Sequence, residues 1–154
     1  MLARVVQALR SQPVRVALAI GSADPGGLGE LPRHWLVREV LPQVALLEHA
    51  SVTITHGGNN SVTETLTAGV PMLVLPFSTG QFAGAAAIVD AGVGVALDPN
   101  AASPAELGAA IVELLEGGCA GAAAELGSGL RVRPGRQVAL AAMTGGAQVA
   151  GGWR

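Results

Sequence analysis

The sequence predicts an α/β fold, a Rossmann-like parallel sheet flanked by helices. Short apolar runs rich in β-branched residues alternate with helical segments of about ten residues, a pattern typical of strand–helix–strand units. The chain has 154 residues, which suits one domain of ordinary size. Half of the residues are apolar but only 3% are aromatic. We therefore expect a core built from Val, Leu, Ile and Ala.

The first third of the chain predicts two strands and two helices. A short helix is expected over residues 3–11. The run "VRVALAIG" at 14–21 is short, apolar and closed by glycine, as buried parallel strands are. Residues 34–40 can hold a second strand. Residues 42–50 begin with Pro42, which suits the N-terminus of a helix, and continue with apolar residues at helical spacing.

The middle of the chain alternates strands with helices. Strands are expected at 51–55, 72–76 and 93–97, with helices at 60–68 and 80–91 between them. The first of these helices is followed by the glycine and proline of "GVP", which are common signals at the C-terminal end of a helix. This order predicts parallel strands whose carboxyl ends lie along one edge of the sheet, where such folds bind ligands.

The last third begins with the clearest helix of the sequence, at residues 103–118. Ser103 stands at the N-cap, Pro104 at the first helical position and Glu106 where a capping box places its acid. Farther on, the sequence becomes rich in Gly and Ala.

We expect two further helices, at 120–127 and 136–144, and loosely packed final residues. The predicted organisation is therefore a domain over residues 1–127, followed by a C-terminal helix and a loose tail over residues 128–154.

Charge, cysteine count and hydropathy give no support to several classes of partner and location. The net charge is −2, which gives no electrostatic reason to expect binding to nucleic acid or to an anionic membrane. Cys119 is the only cysteine, so no internal disulfide can form, and we expect a cytoplasmic protein. An uncharged stretch at 65–89 is long enough for a membrane span, but prolines and glycines divide it into helix, strand and helix. We therefore predict no membrane span.

The segment "ITHGGNNSVTETLTAGVP", residues 54–71, carries the chemistry of the chain. A helix beginning at Asn60 or Ser61 would offer free backbone N–H groups and the positive end of its dipole. Gly57 and Gly58 would let a ligand approach the backbone closely. His56 can donate a hydrogen bond and, when protonated, adds positive charge. Together these residues predict an anion site, most naturally for phosphate.

Glu64, one turn into the same helix, has two interpretations. Its carboxylate can accept hydrogen bonds from a vicinal diol such as that of ribose. Alternatively, Ser61 and Glu64 form a capping box, in which Glu64 only contacts the backbone of Ser61. The glycines can likewise be ordinary turn residues, and His56 can be structural.

Other chemistries have weaker support. The spacing Gly-x-Gly-x-x-Gly is absent from the strand end at His56, which counts against an unrelated dinucleotide-binding enzyme. No His and Asp cluster has metal-ligand spacing, and Cys119 has no patterned histidine partner. We therefore predict no metal site, no cofactor and no catalytic residue within this chain.

The stretch "LPQVALLEHASVTITHGGNNSVTETLTAGVPMLVLPFSTGQ", residues 41–81, resembles the nucleotide-sugar signature of the UDP-glycosyltransferase-like enzymes. These include plant secondary-metabolite and bacterial antibiotic glycosyltransferases. The resemblance implies one half of a GT-B fold, in which two Rossmann-like domains face each other across a cleft. The C-terminal domain of that family binds the nucleotide sugar, and the N-terminal domain binds the acceptor.

The resemblance implies a UDP- or TDP-sugar as the substrate and assigns a part in binding it to individual residues. The donor diphosphate would be held by residues after two strands, namely His56, Gly58, Asn60, Ser61 and Ser22. The ribose and base would lie at Glu64, Gln43 and Val40. The donor sugar would contact Gln81 and Gly80.

Three departures from the family pattern matter. Val40 stands where the signature usually has a Trp that stacks on the base, and Trp35 lies too far back and is expected to pack in the core. Gly80 replaces an acidic residue that usually precedes the terminal Gln. The acceptor domain and its general-base histidine have no counterpart here, and neither His34 nor His49 matches that base.

We therefore predict the donor-binding half of an inverting glycosyltransferase. It would need an acceptor domain, supplied by a separate chain or otherwise, and an exposed apolar face would favour self-association. The alternative is a non-catalytic, regulatory or degenerate nucleotide-binding protein that retains the pocket.

Overall fold

The computed structural model describes residues 1–132 and residue 135. Its five strands and six α-helices follow one another in the order α1 (Leu2–Arg10), β1 (Ala17–Ala19), β2 (Leu36–Arg38), α2 (Gln43–Leu47), β3 (Thr53–Thr55), α3 (Asn59–Ala68), β4 (Met72–Val74), α4 (Thr79–Asp90), β5 (Gly94–Ala96), α5 (Pro104–Glu116) and α6 (Cys119–Val132). A short 3-10 helix, Pro25–Leu28, lies between β1 and β2.

All of the strand pairs are parallel, so the predicted α/β fold is confirmed. Strand β1 pairs with β2, with Leu18 opposite Val37. Strands β3, β4 and β5 form a second sheet in that order, in which Ile54, Leu73 and Val95 lie in register.

Strand β4 is the centre of the core. Leu73 belongs to a large apolar cluster with residues of α1, α5 and both sheets, and this cluster includes Trp35. Met72 and Val74 face the opposite side of the sheet and pack with Ile88 of α4. All three β4 side chains are fully buried. Burial on both faces is the usual environment of a parallel strand and explains the unbroken apolar sequence of β4.

Every strand predicted from the sequence is present within its expected range, and two details differ. The prediction of a buried first strand is wrong, because Ala17 and Ala19 are exposed and only Leu18 is buried. Strand β1 lies in a sheet of two strands and packs on the core through one face. Helix α3 begins at Asn59, earlier than Asn60 or Ser61.

The predicted helix at 120–127 is longer in the structure, since α6 runs from Cys119 to Val132. The domain boundary placed after residue 127 therefore falls inside a helix. The helix predicted at 136–144 lies outside the described residues, and the division into a domain and a tail stays a prediction. Across the described part, no single helix is long and apolar enough to cross a membrane, although the bent pair α5–α6 meets that test by length and composition.

Helix α6 packs very closely against the C-terminal end of α3. Gly69 caps α3 in the left-handed conformation, with φ of 77°, as expected for the glycine of "GVP". A Cβ atom on Gly127 would lie 2.7 Å from the Gly69 Cα and 2.7 Å from the Leu66 carbonyl oxygen. Gly127 therefore has no room for a side chain, because the crowding atoms belong to the backbone of α3.

We predict that Gly127→Ala lowers the free energy of unfolding by about 1–3 kcal/mol, the range typical of overpacking. Gly129→Ala, two residues farther along α6, is the matched control, since a Cβ there meets nothing within 4 Å. That control should raise stability by about 0.5–1 kcal/mol through helix propensity. Urea unfolding of the three proteins measures both effects, and equal stabilities for the two variants would contradict the packing.

Candidate functional site

The connection from β3 to α3 is a tight turn of three residues, His56, Gly57 and Gly58. The Gly57 N–H donates to Thr55 Oγ1 over 3.2 Å. Gly57 has a φ of 85°, a conformation that strongly favours glycine. Gly58 is the N-cap of α3 and contributes no side chain to the cap.

Gly57 also joins this turn to the next strand and helix. A Cβ atom at Gly57 would lie 2.9 Å from Val74 Cγ1 and 3.7 Å from Gln81 Cβ. The turn after β3 therefore lies directly against the end of β4 and the first turn of α4. This contact brings Gln81 beside the His56–Gly58 turn, as expected for neighbouring parallel strands whose carboxyl ends share one edge.

The His56 side chain lies over Gly58 at the start of α3. A Cβ on Gly58 would come within 2.6 Å of His56 Nε2, so the ring occupies the space that a side chain would need. His56 is exposed. Its imidazole is thus presented to solvent at the positive end of a helix, and glycine at position 58 makes that placement sterically allowed.

The N-terminus of α3 has no cap from the protein's own side chains. Among the described residues, the N–H groups of Asn59, Asn60 and Ser61 have no hydrogen-bond acceptor. The positive end of the helix dipole is therefore open to a ligand. Asn60 is exposed and Ser61 is half-buried, so both side chains are close to the same opening.

Helices α4 and α5 differ, because side chains cap both of them. Ser103 N–H and Oγ donate to Glu106 Oε2 over 2.8 and 2.7 Å, which completes the predicted capping box of α5. The hydrogen bond from the Ser103 backbone, followed by that from its hydroxyl, lowers the pKa of Glu106 below its usual value.

The capping-box interpretation of Glu64 is wrong. Because α3 begins at Asn59, Ser61 lies inside the helix and is not its N-cap. The carboxylate instead accepts a hydrogen bond from Gln43 of α2, with 2.6 Å between Nε2 and Oε2. Ser61 Oγ lies 3.4 Å from Gln43 Oε1, so the three side chains form one short row. The structure thus joins three of the predicted site residues by direct contact.

Gln81 has a structural role that sequence reasoning missed. Its Oε1 accepts hydrogen bonds from Phe77 N–H over 2.7 Å and from Ser78 N–H over 3.2 Å. The signal was available, since Ser78 and Gln81 have the Ser-x-x-Gln spacing of a capping box. With its oxygen engaged, Gln81 has its amide N–H₂ group left for a ligand.

The predicted site residues Ser22, Val40 and Gly80 make no side-chain hydrogen bond within the described part of the chain. Ser22 lies in the exposed turn after β1. Val40 is 79% exposed, which is high for a large apolar side chain. Gly80 lies in the first turn of α4, next to Gln81, and a Cβ there would meet open space.

Metal-ligating and nucleophilic groups do not cluster in the described region. No group of three or more His, Cys, Asp or Glu side chains there could hold a metal ion. Cys119 is a free thiol at the start of α6.

Comparison with known proteins identifies the family of the chain. Residues 2–123 match the family described as UDP-glucoronosyl and UDP-glucosyl transferase. The chain belongs to that family. The match includes the turn at His56–Gly58, helix α3 and the first turn of α4, and it confirms the resemblance seen in the sequence.

Individual relatives agree with this assignment. The NDP-glycosyltransferase YjiC of Bacillus subtilis (strain 168) is 36% identical over 93 residues, which are 60% of this chain and 24% of that protein. The structure of the glycotransferase of kitacinnamycin superposes with a TM-score of 0.82 at 36% identity, covering 91% of this chain and 37% of that one. The calicheamicin glycosyltransferase gives a TM-score of 0.77 at 28% identity, covering 97% and 38%.

These relatives show which class of protein the chain resembles and how much of each relative it matches. The chain is similar to bacterial glycosyltransferases of antibiotic biosynthesis, and its fold is that of one part of a GT-B enzyme. It spans 24% of the length of YjiC and 37% and 38% of the two solved chains.

We predict that Gly58→Ala displaces the His56 ring while leaving the fold intact. The backbone at Gly58 is extended, with φ of −65° and ψ of 140°, so alanine fits the backbone and collides only with the imidazole. The histidine ring signals in ¹H–¹⁵N correlation spectra should shift for His56 and stay constant for His34. Gly80→Ala is the control, because its Cβ meets no atom within 4 Å. Unchanged His56 signals in Gly58→Ala would show that the ring does not lie over Gly58.

Proposed function

We propose that this chain is the donor-binding part of an inverting glycosyltransferase and holds a nucleoside diphosphate at the N-terminus of α3. The open helix terminus beneath the His56 ring is the observation that carries the proposal. Backbone N–H groups and a helix dipole form a ready anion site. The family match supports a nucleotide sugar as the molecule that carries this anion.

The proposed contacts are those that the resemblance of residues 41–81 and the strand end at Ser22 assigns. His56, Asn60 and Ser61 surround the opening and would donate hydrogen bonds to the diphosphate, with Gly58 allowing close approach. Ser22 is proposed as a further phosphate contact. The ribose and base would lie at Glu64, Gln43 and Val40, and the sugar at Gln81 and Gly80.

Sugar transfer breaks the bond between the anomeric carbon of the sugar and a diphosphate oxygen. Negative charge develops on the departing diphosphate as that bond breaks. Donors already aimed at the place where charge develops stabilise the transition state without reorganisation. The N–H groups of α3 are fixed by the helix, and glycine at position 58 leaves room for the His56 ring beside them. We infer that stabilisation of the leaving group is the contribution of this chain to catalysis.

The acceptor site and the general base are proposed to lie outside the 154 residues, in an acceptor domain or a partner chain. A non-catalytic protein that keeps the nucleotide site is the second candidate. It is favoured by the exposed Val40 in place of a stacking aromatic residue and by the absence of a side chain at Gly80. The cytoplasmic location stays a prediction.

We predict that His56→Ala weakens binding of UDP and TDP by about 1–3 kcal/mol, the usual effect of losing a hydrogen bond to a charged group. Isothermal titration calorimetry on the wild type and the variant measures the change. His49→Ala removes another exposed histidine, outside the α3 opening, and should leave both affinities unchanged. The assignment fails if the wild type binds neither nucleotide at millimolar concentration, or if His56→Ala binds as well as wild type.

The donor sugar is proposed to be a deoxyhexose carried on thymidine diphosphate. An acidic residue before Gln81 would accept hydrogen bonds from sugar hydroxyls, and Gly80 has no side chain to do so. A carboxylate facing a deoxy position would instead be left without a partner, which is unfavourable. The solved relatives act in kitacinnamycin and calicheamicin systems, and this similarity to antibiotic glycosyltransferases supports the proposal.

Substitution of Gly80 by Asp tests the donor. The site has room for the side chain, and an acid in the first turn of α4 is compatible with the helix dipole. We expect Gly80→Asp to improve binding of UDP-glucose by roughly 1.5–3 kcal/mol, the range of a charge-assisted hydrogen bond. Binding of a TDP-deoxyhexose should be unchanged or weaker, and Gly80→Ala should alter neither. Calorimetry that shows no change for either donor in Gly80→Asp would refute the donor assignment.

A further inference from the structure

The parallel strands form two separate sheets, and strands β1 and β3 each have an edge that no described strand pairs with. Strand β1 bonds to β2, and β3 bonds to β4. Within the described residues, no backbone hydrogen bond joins β1 to β3. The two sheets nevertheless pack against one apolar cluster, to which β1 contributes Leu18 and β3 contributes Ile54. The break between the sheets therefore lies within a single core.

The pairing of β1 with β2 shows which backbone groups of β1 face this break. Successive residues of a strand direct their N–H and C=O groups to opposite sides. The Ile20 N–H donates to the Arg38 carbonyl over 2.9 Å, so the even-numbered residues of β1 face β2. The N–H and C=O groups of Ala17 and Ala19 therefore point away from β2, along the open edge.

Strand β3 has the same arrangement at its own open edge. The Thr53 N–H donates to the Pro71 carbonyl over 3.0 Å, and the Thr55 carbonyl accepts from the Leu75 N–H over 2.8 Å. These two residues face β4, so the N–H and C=O groups of Ile54 point away from it. Each of the two edges thus presents backbone donors and acceptors that a further strand could bind.

Neither edge carries the features by which proteins protect an exposed strand. Natural edge strands are interrupted by charged residues, by proline or by bulges. The sequences Ala17–Ala19 and Thr53–Thr55 contain no charged residue and no proline, whereas the outer strand β2 ends at Arg38. The side chains of Ala17 and Ala19 are exposed, and that of Ile54 is half-buried. Such unprotected, incompletely covered edges are expected where another strand pairs with them.

The order of the strands indicates where that further strand fits. Nucleotide-binding parallel sheets commonly have the strand order 3-2-1-4-5-6. The sheets β2–β1 and β3–β4–β5 correspond to the parts 3-2 and 4-5-6 of that order, and no described strand takes the central position between β1 and β3. We propose that β1 and β3 bind an extended apolar strand of a partner polypeptide, which lies parallel to both and joins the two sheets into one.

The two edges specify the chemistry of the partner strand. Its backbone would pair on both sides, as in the addition of a strand to a sheet. Its direction would match that of β1–β5, all of which pair in parallel. Its side chains would be apolar on both faces, because a central parallel strand is buried on both, as β4 is here. This docking goes beyond the proposed function and does not require a bound nucleotide.

The probe is a synthetic peptide of about five valine and isoleucine residues, the common length of a strand, with lysines at both ends for solubility. Added to the ¹⁵N-labelled full chain, it should slow amide hydrogen exchange at Ala17, Ala19 and Ile54 together by at least about tenfold, as expected for one added hydrogen bond at each amide. Exchange should not change at Val37 and Ala96, whose amides face the outer edges of β2 and β5.

A nitroxide label on the carboxyl end of the peptide tests the direction of binding. Gly21 and His56 follow the carboxyl ends of β1 and β3, whereas Val16 and Val52 precede their amino ends. A peptide that lies parallel to both strands should broaden the amide signals of Gly21 and His56 more than those of Val16 and Val52. The reverse pattern would overturn the proposed parallel docking.

Two matched controls separate strand pairing from simple apolar adhesion. A peptide with the same side chains but N-methylated backbone amides should bind at least about tenfold more weakly, because it has lost its backbone donors. Ala19→Pro removes a donor from the open edge of β1 and should weaken binding of the unmodified peptide to a similar extent. Ala96→Pro, on the outer edge of β5, should leave binding unchanged. The N-methylated peptide keeps the test decisive if a proline variant fails to fold.

Several outcomes would overturn the proposal. These are no binding at millimolar peptide, protection of only one of the two edges, protection of Val37 or Ala96 instead, and equal binding of the N-methylated peptide. Protection of Ala17 and Ile54 that rises with protein concentration in the absence of peptide would assign the edges to a second copy of the chain, and would also overturn it. Calorimetry with UDP and TDP tests the proposed function separately, so failure of one leaves the other standing.

Discussion

The contact between Gly57 and Val74 is the constraint on which the site depends. A side chain at position 57 would lie 2.9 Å from Val74 Cγ1, so the turn after β3 can rest on the end of β4 only because it carries glycine there. Val74 is fully buried and fixed by the core. The turn is therefore held against the sheet, and it places His56 and the start of α3 beside Gln81 of α4. The sheet edge thus positions the turn with greater precision than a flexible loop would.

Much of the fold could be predicted from the sequence because its signals are local. The apolar runs gave the strands, and the order of strands and helices required parallel pairing. Ser103, Pro104 and Glu106 gave the start of α5, and Gly69 gave the end of α3. Each of these signals acts within a few residues of chain, where steric and hydrogen-bonding preferences are decided without tertiary contacts.

The candidate site could be located from the sequence, but its internal contacts could not. Gln43 and Glu64 are 21 residues apart and meet because α2 packs beside α3, which no local pattern encodes. The sequence does not predict the start of α3 correctly because Ser61 looks like an N-cap, whereas Gly58 takes that position and the helix begins at Asn59. The exposure of Ala17 and Ala19 could not be predicted for a similar reason, since burial of a strand depends on which elements cover it.

The close approach of Gly127 to α3 connects α6 with the proposed nucleotide site. The family match ends at residue 123, one turn of α6 earlier. Yet position 127 touches the backbone at Leu66 and Gly69, at the C-terminal end of the helix whose N-terminus is the proposed diphosphate site. A natural substitution of this glycine is therefore expected to affect the proposed binding site through α3. In a homologue with a larger residue at this position, α6 and α3 must therefore lie differently relative to each other.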